Sequence, residues 1–256
     1  MTNTCYWNHE KLAKTQYTCM DGENVVCPYC CVEKCPVETP QWFAACAAAG
    51  HPTWPSQSAS VPRELVCLEA YWNDEVFRTL SVKGFFDSLA PLITPPLKIA
   101  HRYVESAEHL DYYTRKPDGL LWTDQEARDV PIFYLAFHGS PGTVYSALDA
   151  IGPDKLCEAF RDYGEYDNLV YFGACSVFAD AAGEKFAKKF LKASQTRAVI
   201  GYTTNVDWIN SLVIDMLFLY RFYTDDDPWN NLADIFNSVL QDFAPAKPMG
   251  YTLIQA

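Results

Sequence analysis

The sequence predicts an α/β domain, a mostly parallel sheet with helices on both faces, preceded by a small cysteine-rich segment. Three observations carry that prediction. From residue 63 onward, apolar runs of strand length alternate with amphipathic stretches of helical length, the pattern that parallel strands and crossover helices produce. The run "VPIFYLAFHG" (130–139) is almost unbroken in apolar residues, as a central strand buried on both faces requires. Seven of the ten cysteines fall in the first 46 residues, so the head of the chain is chemically unlike the rest.

The elements follow in order. Residues 1–49 hold the cysteine-rich segment, centred on "CPYCCVEKCP", and residues 50–62 ("GHPTWPSQSASVP" in the main) are rich in Pro and Ser without apolar period, a linker. The main domain then occupies 63–256. "ELVCLEAYW" (64–72) is expected as a strand, and "SVKGFFDSLAPLI" (81–93) as a helix stopped by Pro95-Pro96. "LKIAHRYVE" (97–105) is a second strand, and 106–115 a short helix with Ser106 as N-cap. The third strand is 130–139, with "GTVYSAL" as a short hairpin arm after it. A helix over 152–164 ends at Gly164 as its C′ residue, a fourth strand covers 168–175, and 180–194 is a helix with Phe186 and Phe190 on one face. A fifth strand (197–204) and two helices (207–224 and 228–243) complete the pattern, and the tail "PMGYTLIQA" is left to close a sheet edge or meet a partner.

Charge and hydropathy narrow the function. The net charge is −12 and the pI about 4.8, against a general nucleic-acid binder, which carries a basic face. The most apolar long segment, "WINSLVIDMLFLYRFY" (208–223), is too short to span a bilayer and contains Asn210, Asp215 and Arg221. It suits a buried helix. The N-terminus lacks a basic start followed by an apolar core, so no secretory signal is expected.

Reactive residues close two consecutive strands. "FYLAFHG" ends in His138 and Gly139, and "VYFGAC" ends in Cys175. Consecutive strands in such sheets tend to be neighbours, and ligands gather at the carboxyl ends of parallel strands. His138 and Cys175 are therefore expected side by side as a base and a nucleophile, with the backbone N–H groups of Gly139 and Cys175 available to a developing oxyanion. Residue order excludes rivals. No histidine follows Cys175, whereas papain-like proteases and class I glutaminases place theirs after the cysteine. Val177 stands where a nucleophile elbow has its second glycine. His101, mid-strand, and His109, on a helix, are expected to be structural. Cys67 and Cys157 sit in apolar patterns as core thiols, and Ser140 and Ser176 take turn or cap roles.

A histidine and then a cysteine, each ending its own strand, is an order that resembles the caspase-like (clan CD) cysteine peptidases. "LAFHGSPG" resembles their His-Gly motif, "FGACS" their Ala-Cys motif, and "AVIGYTTNVDW" the following strand of bacterial CHAT-like members. The resemblance covers about residues 64–224. It implies a caspase-like three-layer sandwich, a His138–Cys175 dyad without a metal, and hydrolysis of a protein or peptide substrate. It also implies a bacterial, cytoplasmic protein controlled by an activating partner, with a role in antiviral defence or stress signalling. In that fold the S1 pocket, which receives the P1 side chain before the scissile bond, lies near the strand ends. Asp207 and Asp180 fall in that region, and an acid there selects Arg or Lys. The alternative for Asp207 is the N-cap of the helix starting at Trp208. An acidic P1 would need an arginine, and the sequence does not place Arg102, Arg197 or Arg221 at the site.

The cysteine-rich head is too short to hold together on a hydrophobic core alone. Cys27 and Cys30 have the Cys-x2-Cys spacing of a structural zinc site, with Cys5, His9, Cys19 and Cys35 as candidates for the other two ligands. Disulfides are the alternative. A zinc module of this kind would recognise a protein partner or the substrate. A different class of function also stands: a catalytically silent caspase-like scaffold whose zinc module carries the interactions.

Overall fold

The computed structural model describes residues 17–18, 25–26, 61–71 and 80–256. The chain divides into two compact units, residues 1–59 and 60–256. In the first, β1 (Tyr17–Thr18) pairs antiparallel with β2 (Val25–Val26). The expected zinc ligands Cys5, His9, Cys19, Cys27, Cys30 and Cys35 lie outside the described residues, as does nearly all of the expected linker.

The second unit is built on a six-stranded sheet. Its strands are β3 (Glu64–Glu69), β4 (Lys98–Tyr103), β5 (Ile132–Ala136), β9 (Leu169–Gly173), β10 (Ala198–Tyr202) and β11 (Tyr251–Gln255). The spatial order is β11-β10-β9-β5-β3-β4. All neighbours are parallel except β11, which runs antiparallel to β10. The C-terminal tail thus closes one edge of the sheet. The central strand β5 is buried at every residue, which accounts for its unbroken apolar run.

Alternation along the strands divides the core into two layers. On one face Cys67, Tyr134, Ala136, Tyr171 and Ile200 pack with α1 (Lys83–Leu89), α7 (Trp208–Thr224) and α8 (Leu232–Asp242). On the other, Val66, Leu68, Phe133, Leu135, Val170 and Phe172 pack with α2 (Ala107–Thr114), α5 (Pro153–Ala159) and α6 (Asp180–Ser194). Two short turns of helix, α3 (Leu120–Thr123) and α4 (Gln125–Arg128), connect α2 to β5. Phe160, Phe172, Phe186 and Phe190 form an aromatic cluster under α6, so the i, i+4 phenylalanines face the sheet. The Ser106 side chain caps α2 by accepting from the His109 N–H at 3.1 Å.

Several boundaries differ from the sequence pattern. The third strand stops at Ala136; after Phe137 the chain enters a separate three-stranded sheet of β6 (His138–Ser140), β7 (Thr143–Tyr145) and β8 (Ala150–Ile151), ordered β6-β7-β8 and antiparallel. The helix expected to end at Gly164 ends at Ala159 instead. Gly164 lies in a 3-10 turn, Tyr163–Tyr166, where a side chain would overlap the backbone of Gln195. Its glycine serves a close chain crossing rather than a helix cap.

Candidate active site

The ladder between β5 and β9 sets the site. Ala136 pairs with Gly173 in its last step. His138 and Cys175 each follow by two residues, so both leave the sheet at the same edge. Gly139 ties them together. A methyl group on Gly139 would overlap the Cys175 carbonyl oxygen, come within 3.0 Å of the Ala174 Cβ and within 3.3 Å of the Cys175 nitrogen. Only glycine lets the His138 strand lie this close to the cysteine.

The turn carrying Cys175 is fixed on three sides. The Ser176 N–H donates to the Thr204 carbonyl at 2.8 Å, the Phe178 N–H to the Tyr202 carbonyl at 3.0 Å, and the Gly142 N–H to the Val177 carbonyl at 2.9 Å. Ser176 adopts φ +52°, a left-handed conformation that costs a serine about 1–3 kcal/mol and persists only where the surroundings impose it. Its hydroxyl bonds the Asn205 side chain at 2.7 Å. At the thiol itself, the Val206 N–H points at Sγ from 3.5 Å, and Sγ lies 3.7 Å from the Val206 carbonyl as its donor.

Accessibility separates the cysteines. Cys67 and Cys157 are buried, and among the described cysteines Cys175 alone is partly open. Burial pushes the Cys67 and Cys157 thiols up, which keeps them protonated and unreactive. His138 is exposed.

His138 and Cys175 line one cavity of about 240 Å³ with Leu80, Val82, Tyr134, Phe137, Gly173, Val206, Trp208, Ser211, Leu212 and Asp215. One wall, Leu80 to Val82, is pinned by Glu69 at the end of β3. This fully buried carboxylate accepts from the Ser81 hydroxyl at 2.7 Å and the Val82 N–H at 2.8 Å, and pairs with His101 Nε2 at 2.5 Å. His101 therefore has a structural partner.

The other expected site residues are placed elsewhere. Asp207 is exposed and caps α7, accepting from the Asn210 N–H at 3.0 Å; that bond holds its carboxyl below the usual range. Asp180 is exposed at the start of α6, where its side chain accepts from the Ala182 N–H at 3.0 Å. Neither lines the cavity. Ser140 bonds Tyr145 at 2.8 Å. Among the described residues no group of three His, Cys, Asp or Glu is arranged to hold a metal ion, and no helix is long and apolar enough to cross a membrane.

Asp215 escaped the sequence reading. It sits on the buried face of α7 among Leu212, Ile214, Phe218 and Leu219. The signal was present: a carboxylate on the apolar stripe of a helix, opposite a sheet with tyrosines on three strands.

Fold and site together define a mixed α/β protein with a mainly parallel sheet and a histidine and a cysteine that line one cavity at its carboxyl edge. The chain belongs to a family of unknown function (DUF6642), whose model matches residues 63–252. No curated protein matches the sequence. Among solved structures the chain is similar to the complex of Porphyromonas gingivalis RgpB pro- and mature domains, with 12% identity, a TM-score of 0.45, and coverage of 78% of this chain and 48% of that one. It is similar to caspase-1 from Spodoptera frugiperda, with 11% identity, a TM-score of 0.43, and coverage of 77% and 85%. The Drosophila initiator caspase Dronc gives 9% identity, a TM-score of 0.45, and coverage of 77% and 80%. The chain spans about half the length of the RgpB chain it matches.

Proposed function

We propose that this protein is a caspase-like cysteine endopeptidase in which Cys175 is the nucleophile and His138 its acid–base partner. The observation that carries the reading is that both residues stand two positions beyond the last paired residues of adjacent parallel strands and line one cavity. In the first half-reaction the Cys175 thiolate attacks the scissile carbonyl carbon. The C–N bond breaks, the acyl group stays on sulfur as a thioester, and protonated His138 gives its proton to the departing amine. In the second, His138 takes a proton from water, the hydroxide attacks the thioester, and the carboxylic acid leaves as the thiol re-forms. The Val206 N–H and carbonyl both contact Sγ and hold it at the cavity. The Gly139 and Cys175 N–H groups are assigned to the oxyanion.

The same reading includes a protein substrate, control by an activating partner and, following the CHAT-like resemblance, a part in bacterial defence or stress signalling. It includes a zinc-binding head in which Cys27 and Cys30 act with two of Cys5, His9, Cys19 and Cys35. Metal analysis of the purified chain tests the head: one zinc per chain, lost on Cys27→Ser, supports it, and a metal-free folded chain refutes it. The catalytic reading is tested by digestion of a mixed peptide library read by mass spectrometry. Cleavage should vanish in Cys175→Ala and fall in His138→Ala. Cleavage that persists in Cys175→Ala would refute the dyad.

A further inference from the structure

The cavity that holds His138 and Cys175 also reaches a buried carboxylate that the proposed chemistry does not use. Asp215 lines it together with Tyr134 and Ser211, and its residue is 1% exposed. Its Oδ1 accepts from the Tyr171 hydroxyl at 2.5 Å and the Tyr202 hydroxyl at 2.6 Å, and its Oδ2 accepts from the Tyr134 hydroxyl. Those tyrosines come from β9, β10 and β5, so three strands aim donors at one acid. A carboxylate has about four acceptor positions. The one left over is on Oδ2, the oxygen bonded to cavity-lining Tyr134.

Among the described residues the charge has no counterpart. None of the ion pairs among the described residues includes Asp215. Burial pushes its carboxyl up to about 6, against the opposing pull of the three tyrosine hydrogen bonds, so it is mainly ionised at neutral pH. A buried anion without a cation is costly, and a cavity leading to it is a place where a cation gains a partner. The walls suit the rest of such a side chain. Leu80, Val82 and Leu212 are apolar, and the stems of lysine and arginine pack on apolar surface while the charged end seeks a partner.

We propose that Asp215 is a specificity-determining residue of this site, receiving the lysine or arginine side chain of the substrate residue that precedes the scissile bond. The inference rests on the peptidase reading of Cys175 and His138. It assigns P1 selection to a residue inside the cavity, where Asp207 and Asp180 are exposed and engaged at helix starts. Gly173 belongs to the same device, because a methyl group there would overlap the Tyr134 hydroxyl and push it off Asp215.

The test measures the rate of covalent modification of Cys175 by peptidyl acyloxymethyl ketones with Lys, Arg, Leu or Asp at P1. Iodoacetamide, which has no P1 side chain, serves as a probe of Cys175 reactivity alone. The wild-type chain should react roughly 100-fold faster with Lys or Arg than with Leu or Asp, the order a charge-assisted hydrogen bond supplies. Asp215→Asn should reduce that ratio to within about tenfold while iodoacetamide still modifies Cys175 at a similar rate. A measurement on the wild type alone covers the case in which the variant does not fold. n-Butylammonium should protect Cys175 from iodoacetamide, and n-butanol should not. Fastest labelling with Leu or Asp at P1, a preference that survives Asp215→Asn, or no protection by n-butylammonium would overturn the role of Asp215 and leave the nucleophile standing. Reaction with iodoacetamide but with none of the peptidyl probes would overturn the peptidase reading and this inference together.

Discussion

His138 and Cys175 stand at equivalent positions beyond the ends of neighbouring strands, each two residues past the final pair, Ala136 and Gly173, of the β5–β9 ladder. Parallel pairing makes this equivalence rigid. A one-residue slip between β5 and β9 would turn alternate side chains to the opposite face and separate the two. The starting points of the two segments that carry His138 and Cys175 are therefore set by two buried strands of the sheet.

Gly139 is the point where that geometry is most sensitive. A Cβ there overlaps the Cys175 carbonyl oxygen and crowds the Ala174 Cβ at 3.0 Å. Gly139→Ala should displace β6 from Cys175 and slow covalent labelling of the cysteine by roughly tenfold or more, since small misplacements at a reacting centre cost rates of that order. The comparison is labelling rate against unfolding midpoint in urea. A rate equal to wild type in a folded variant would contradict the close packing.

Glu69 holds the Leu80–Val82 wall of the cavity. Its buried carboxylate serves Ser81, Val82 and His101 at once. Glu69→Ala leaves those groups unpaired and should lower the unfolding free energy by about 3 kcal/mol, since each stranded buried polar group costs about 1–3 kcal/mol. Glu69→Gln, which keeps an acceptor for the Val82 N–H, should cost less. Urea denaturation of both variants checks the order.

Much of this arrangement was legible in the sequence, for physical reasons. The strand–helix alternation shows because buried strands are apolar throughout and helices carry a stripe, and α6 occupies residues 180–194 in pattern and structure alike. Ser106 and Asp207 are legible as caps because a side-chain oxygen before a helix has a specific N–H to accept from. The break after Ala136 was not legible, because the apolar run carries on through Phe137 past the end of β5, and only the close approach of Gly139 to Cys175 shows why the chain leaves the sheet. Gly164 reads as a helix end in one dimension, while its actual neighbour, Gln195, is far along the chain. Asp215 looked like a charge that merely argued against a membrane span; its meaning appears only when Tyr134, Tyr171 and Tyr202 converge on it.

Asp215 also predicts a pH dependence of stability. Its carboxyl is raised from 3.8 to about 6 on folding, so between those values the folded chain binds more protons than the unfolded one. Its contribution therefore weakens as pH rises through that window and levels off above about 6. The tyrosines facing it are themselves pushed up from their usual value near 10 and do not titrate there. Relative to Asp215→Asn, the wild type should lose about 1.4 kcal/mol between pH 5 and pH 7.5, one pKa unit's worth. Urea unfolding of both proteins at the two pH values reads the change. A difference independent of pH would show that Asp215 does not titrate in this range.

Activation of a Cys175 nucleophile by His138 is the step on which the proposed chemistry turns. Its most direct measurement is the intact mass of the wild type, Cys175→Ala and His138→Ala after treatment with a lysine P1 and a leucine P1 peptidyl acyloxymethyl ketone. One adduct per wild-type chain is expected, mapped to Cys175, absent from Cys175→Ala and formed at least about tenfold more slowly in His138→Ala. An adduct that maps to another cysteine, or forms equally fast without the His138 imidazole, would contradict it.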